Sequence, residues 1–123
     1  MAWMKRTAVG LVVAALLAGT GAAVYVQRSF AALDGKLVVK GILHAADARR
    51  AQALGADAIV LTNHGGRQLD GAISPMETLA DIADACGEAL EIYIDGGFRR
   101  GTDIAKALAL GARAVMLGRP LLY

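Results

Sequence analysis

An imidazole and a guanidinium stand three residues apart in a glycine-rich stretch, at His64 and Arg67. The apolar run 58–61 comes just before them, so the pair is expected on a loop at the end of a β-strand. A neutral imidazole accepts a proton near pH 7, and a guanidinium binds a carboxylate through two parallel hydrogen bonds. The alternative for a lone histidine is a structural hydrogen bond, but the neighbouring asparagine and glycines favour a base beside an anion clamp.

Two glycine–arginine motifs follow later apolar runs. They are Asp95-Gly96-Gly97-Phe98-Arg99 and Gly118-Arg119-Pro120. Glycine-rich turns before a helix expose backbone N–H groups that bind phosphate, and arginines add positive charge. Either motif alone is a weak signal, but together they predict a phosphate site. Lys40 also ends an apolar run, where a simple flanking charge is the alternative.

The chain after residue 35 has the pattern of strand–helix units. Buried parallel strands are predicted at Leu37–Lys40, Ala58–Leu61, Glu91–Asp95 and Ala114–Leu117. Helical patterns between them cover about 45–54, 75–85 and 102–110. Gly55 suits a left-handed cap of the first helix and Gly111 stops the third, while Ser74 and Glu77 predict a capping box on the second.

An internal repeat supports this organisation. Residues 54–61 read LGADAIVL and residues 110–117 read LGARAVML, so one segment repeats the other 56 positions later. Two strand–helix units separate the copies, which gives about 28 residues per unit, close to the unit of a (β/α)8 barrel. The predicted fold class is α/β with a parallel sheet.

Composition excludes several classes of function. A net charge of +2 and 5% aromatic residues do not suit nucleic-acid binding. The single cysteine, Cys86, excludes an internal disulfide and a multi-cysteine metal site, and we expect it to be a buried, inert thiol. No histidine or cysteine cluster predicts a metal.

The N-terminus differs from the rest of the chain. Residues 7–26 contain no charge and follow Lys5 and Arg6. As a helix they would be about 30 Å long, enough to cross a membrane. We favour a membrane anchor over a cleaved signal peptide and secretion; the third alternative is a buried helix or a non-native leader, which would leave the protein cytoplasmic. The predicted domains are therefore 1–30 and 35–123.

The sequence of residues 62–71, TNHGGRQLDG, closely resembles the FMN-dependent 2-hydroxy acid dehydrogenases and oxidases, which include L-lactate and mandelate dehydrogenases and glycolate oxidase. The resemblance runs from about Gly35 to Tyr123 and corresponds to strands four to seven of that family's barrel. It implies a partial (β/α)8 TIM barrel, preceded here by the apolar N-terminal helix. The other four strands have no counterpart, so we expect self-association or a complementing chain to close the barrel.

The resemblance also implies roles for individual residues. His64 would take a proton from a small L-2-hydroxy acid, and Arg67 would hold its carboxylate. Lys40 and Thr62 would contact the flavin of FMN, with Lys40 stabilising negative charge on the reduced ring. The residues implied in binding the ribityl and phosphate groups are Asp95, Gly96, Gly97, Arg99, Gly118 and Arg119. Asp70 is expected to brace its loop.

The family's carboxylate partner of the base lies on an earlier strand. We therefore expect the chain to need additional strands for turnover. The alternative is a non-catalytic fragment that retains some FMN or phosphate binding.

Overall fold

The structure, a computed structural model, describes residues 35–121. In this range β-strands alternate with α-helices along the chain. The elements are β1 (Val38–Ile42), α1 (Ala45–Ala53), β2 (Ala58–Leu61), α2 (Pro75–Cys86), β3 (Glu91–Asp95), α3 (Gly101–Ala109) and β4 (Ala114–Met116). Short 3₁₀ turns lie at His64–Gly66, Gly87–Ala89 and Arg119–Leu121.

The four strands form one parallel sheet in the order β1-β2-β3-β4. The predicted α/β class and parallel sheet are confirmed, and the arrangement is consistent with part of a (β/α)8 barrel. Within residues 35–121, β1 and β4 are the edge strands. β1 extends two residues beyond its predicted end, because a bulge between Lys40 and Ile42 lets pairing with β2 resume after Gly41.

The core lies between one face of the sheet and the helices. The side chains of Ile59, Leu61, Ile92 and Ile94 are at most 3% exposed and belong to one apolar cluster with residues from α1, α2 and α3. Alternation along each strand places their neighbours on the opposite face. This burial fixes the sheet to the helices and so holds all four strand ends at one edge.

Two predicted helix ends are confirmed and one predicted cap is wrong. Gly55 and Gly111 have φ values of +90° and +106°, a region that favours glycine. The Ser74 side chain makes no capping hydrogen bond. The Glu77 N–H donates to the backbone oxygen of Ser74 instead, at 3.0 Å, so the predicted capping box does not form.

The predicted N-terminal apolar helix and its membrane span at residues 7–26 lie outside the described residues. Over the range 35–121, no helix combines the length and the apolar character needed to cross a bilayer. Cys86 is free and buried, as predicted, and its burial raises the pKa of the thiol.

Candidate functional site

A single cleft of about 720 Å³ opens where the strands reach their carboxyl ends. All ten predicted site residues line it: Lys40, Thr62, His64, Arg67, Asp95, Gly96, Gly97, Arg99, Gly118 and Arg119. The strand-end rule predicts this convergence, because neighbouring parallel strands deliver their following loops to the same edge. The chemical roles of these residues remain predictions.

Six lining residues were missed by the sequence analysis. They are Gly65, Gln68, Phe98, Met116, Leu117 and Pro120. Four of them lie inside or directly beside the motifs already singled out, so extending the motifs would have found them. Met116 and Leu117 end the fourth apolar run, where position at a strand end was the available signal.

His64 sits in a left-handed turn. Its φ is +56°, and Gly65 and Gly66 follow at +69° and +71°. Among residues 35–121, His64 is the one residue other than glycine with a positive φ. A left-handed backbone costs a residue with a side chain about 1–2 kcal/mol, and such strain concentrates at functional sites.

Local hydrogen bonds hold this turn. The His64 N–H donates to Thr62 Oγ1 at 3.0 Å, and the Gly65 N–H donates to Asn63 Oδ1 at 3.0 Å. The Gly66 N–H donates to the backbone oxygen of Asn63, also at 3.0 Å. Because its three amides are bonded within the loop, the turn presents the imidazole to the cleft rather than a backbone anion site.

The imidazole of His64 lies against the end of β1. A Cβ built on Gly41 would lie 3.3 Å from His64 Nε2, and Gly41 has a φ of +97°. A side chain at position 41 would therefore strain the backbone and push on the ring. The β1 bulge thus has a role in the site, since it places a glycine beside the predicted base.

Lys40 and Asp95 form an ion pair across the cleft. Lys40 Nζ lies 2.7 Å from Asp95 Oδ2, although β2 separates their two strands. The side chains are 44% and 29% exposed, so the pair adds at most about 1 kcal/mol to stability. Its main effect is to hold the ammonium over the cleft. Both residues were predicted to bind the cofactor, but their contact with each other was not predicted, because 55 positions separate them in the sequence.

Positive charge dominates the lining. The lining residues carry Lys40 and three arginines against one carboxylate, that of Asp95. Arg119 reaches from the end of β4 to the turn after β2, where its Nη2 lies 3.3 Å from the position of a Cβ on Gly65. The cleft therefore suits a ligand with more than one anionic group.

The segment after β3 places two glycines with positive φ beside this charge. Gly96 and Gly97 have φ values of +140° and +76°, and α3 begins at Gly101.

Asp70 does not line the cleft and accepts a hydrogen bond from the N–H of Gly71 within its own loop. In the described part of the chain, no group of three or more His, Cys, Asp or Glu side chains could hold a metal ion.

Comparison with known proteins identifies the family. The family model described as FMN-dependent dehydrogenase matches residues 5–123. The chain belongs to the FMN-dependent dehydrogenase family. The predicted resemblance is thus confirmed, and the family match begins well before Gly35, where the sequence analysis placed its start.

Two curated relatives of this family are each more than half identical to the chain over the aligned residues. An (S)-mandelate dehydrogenase of Pseudomonas putida is 62% identical over 88 residues, which are 72% of this chain and 22% of the relative. An L-lactate oxidase of Nostoc sp. is 59% identical over 87 residues, 71% of this chain and 24% of the relative. The chain spans about a quarter of the length of these relatives.

A solved structure agrees with the fold. The crystal structure of a mandelate oxidase with benzoyl-formic acid is 50% identical in sequence and superposes with a TM-score of 0.74. The match covers 79% of this chain and 29% of that chain. The α/β unit described above is therefore similar to one segment of a larger enzyme.

Proposed function

We propose that this chain carries the base, the carboxylate clamp and much of the FMN site of an enzyme that oxidises a small L-2-hydroxy acid, such as lactate, to the 2-oxo acid. The observation that supports this most is the convergence of His64, Arg67 and Lys40 on one cationic cleft. Relatives named for lactate and mandelate support the class of substrate.

The donor set of the cleft fits FMN. Its volume of about 720 Å³ lies within the usual range of cofactor pockets, and a flavin mononucleotide has both an anionic phosphate and a ring that becomes negative on reduction. Arg99 and Arg119, with the glycine backbone at 96, 97 and 118, would hold the phosphate. Lys40 and the Thr62 hydroxyl would face the ring, and Asp95 would bind the ribityl chain. When bound, FMN supplies the acceptor for two electrons.

The protein's own side chains then orient the substrate and move a proton. Arg67 forms two parallel hydrogen bonds to the carboxylate and so fixes the hydroxyl-bearing carbon in the cleft. His64 in its neutral form accepts a proton from the hydroxy acid. The ammonium of Lys40, which lies 2.7 Å from the Asp95 carboxylate, would stabilise the negative charge that develops on the flavin ring.

Binding and turnover are tested separately on the purified full chain. Equilibrium dialysis should give micromolar or tighter FMN binding, and L-lactate added without oxygen should bleach the flavin absorbance only where a second copy or a complementing chain supplies further barrel strands. Arg67→Lys should raise the lactate concentration for half-maximal bleaching about 10- to 100-fold, because Lys keeps the charge but loses the paired hydrogen bonds. FMN affinity should not change. Arg100→Lys is the matched control, because Arg100 is exposed and does not line the cleft.

A second candidate function is FMN or phosphate binding without turnover. It is favoured by the two open edges of the described sheet and by the small share of the relatives that the chain covers. Micromolar FMN binding without bleaching would support it over the first. We also propose that a second copy, or a complementing chain, pairs with these edges. A monomeric mass in light scattering, at a protein concentration where lactate bleaches the flavin, would argue against the second copy. FMN binding weaker than millimolar would contradict both candidates.

A further inference from the structure

We propose that Asn63 is a positioning residue, whose carboxamide fixes the turn bearing His64 and ties it to the far end of the loop bearing Arg67. This role rests on the proposed function, in which His64 is the base and Arg67 is the carboxylate clamp. Asn63 was not among the predicted site residues, and it does not line the cleft itself.

Both ends of the carboxamide are used. Asn63 Oδ1 accepts from the Gly65 N–H at 3.0 Å, and Asn63 Nδ2 donates to the Ile73 carbonyl at 3.4 Å. A backbone N–H can only donate and a carbonyl can only accept, so these partners fix which way the amide faces. Aspartate at this position would supply only acceptors when ionised, and glutamine would be one methylene longer. Asparagine satisfies both contacts with a short side chain.

The two hydrogen bonds of the Asn63 side chain affect the positions of both the imidazole and the guanidinium of the loop. The bond to Gly65 closes the turn in which His64 adopts its left-handed backbone, and the Asn63 carbonyl adds the bond from Gly66. The bond to Ile73 joins that turn to the last residues before α2. Arg67 lies on the segment between these points, so Asn63 closes the loop that separates the imidazole from the guanidinium.

Asn63 also lies beside a third loop. A Cβ built on Gly96 would lie 3.9 Å from Asn63 Oδ1. The glycine turn after β3, which belongs to the predicted phosphate site, therefore packs close to the carboxamide. Asn63 thus belongs to the loop after β2, lies beside the loop after β3, and is half-buried.

Amide hydrogen exchange on the full chain tests the inference without flavin or substrate. In Asn63→Ala the Gly65 amide should exchange about fivefold faster or more, which is the effect of losing one hydrogen bond. Asn63→Asp keeps an acceptor and should restore the protection of Gly65. Ser74→Ala is the control, since Ser74 follows Ile73 and makes no capping hydrogen bond.

The histidine ring provides a second readout. The chain has two histidines, so the ring resonances of His64 and His44 can be followed together by NMR. Asn63→Ala should shift the His64 ring signals and leave those of His44 unchanged. The inference is overturned if neither Gly65 exchange nor the His64 ring responds, if Asn63→Asp loosens Gly65 as much as Asn63→Ala, or if the amides of β2 and β3 loosen equally. A failure of lactate oxidation alone would count against the proposed function and not against this role.

Discussion

The two glycines at the ends of α1 and α3 allow backbone strain to be separated from steric overlap. Gly55 and Gly111 occupy the same place in the repeated segments 54–61 and 110–117, and their φ values are +90° and +106°. A Cβ on Gly55 would meet nothing within 4 Å. A Cβ on Gly111 would lie 2.8 Å from the Cβ of Ala83 on α2. Gly111→Ala should therefore destabilise the fold more than Gly55→Ala.

The expected magnitudes follow from these two contributions. An alanine at a positive φ costs about 1–2 kcal/mol, which applies to both variants. Gly111→Ala adds an overlap that no side-chain rotation can relieve, because both atoms are Cβ atoms and the backbone must shift. Overpacking of this kind costs about 1–3 kcal/mol. The free energy of unfolding should thus fall by about 1–2 kcal/mol in Gly55→Ala and by about 2–5 kcal/mol in Gly111→Ala.

Urea unfolding followed by circular dichroism measures both losses, provided that the slope with urea is unchanged. Ala83→Gly removes the other partner of the overlap and by itself costs about 1 kcal/mol through helix propensity. In the double variant the two changes should cost less than their sum by at least about 1 kcal/mol. Equal losses in Gly55→Ala and Gly111→Ala, or strictly additive losses in the double variant, would refute the reasoning.

Three further predictions concern the described domain. His44 Nδ1 accepts from the Ala46 N–H at 3.1 Å and caps α1, so His44→Ala should lower the free energy of unfolding by about 1 kcal/mol in urea titrations, whereas His44→Asn should retain most of it. Cys86 should react with a disulfide reagent at pH 8 no faster than the protein unfolds, because the thiol is buried and its burial raises the pKa. Adding urea should speed the reaction, whereas rapid reaction of the folded protein would contradict the prediction. The hydrogen bond from Lys36 lowers the pKa of Asp57 and raises that of Lys36. The stability from this pair is therefore lost as pH falls through the lowered Asp57 pKa or rises through the raised Lys36 pKa. In urea titrations Asp57→Asn should be less stable than the wild type at pH 7, and the difference should disappear once pH falls below the lowered pKa of Asp57.

The cleft could be predicted because its residues follow the ends of the strands, whereas contacts between residues far apart in the sequence could not be predicted. Within residues 35–121, apolar runs and glycine stops placed every strand and α-helix to within about two residues, because burial between parallel neighbours leaves a clear pattern. The Lys40–Asp95 ion pair and the approach of Gly41 to His64 depend on how far one strand end lies from another. Sequence spacing does not contain that distance. The missing cap at Ser74 is a local example. The residue types suit a capping box, but the Glu77 N–H donates to the Ser74 backbone oxygen and not to its side chain.

Under the proposed function, the closed turn around His64 has a consequence for the range of acids that the cleft would accept. Its amides are all bonded locally, so the proposed proton acceptor is held on a hydrogen-bonded backbone. Arg67, the proposed clamp, is by contrast an exposed, long side chain that can adjust to the acid. We expect the distance from base to reacting carbon to stay constant while the rest of the acid varies in size. One loop of this design is compatible with relatives named for substrates as different in bulk as lactate and mandelate.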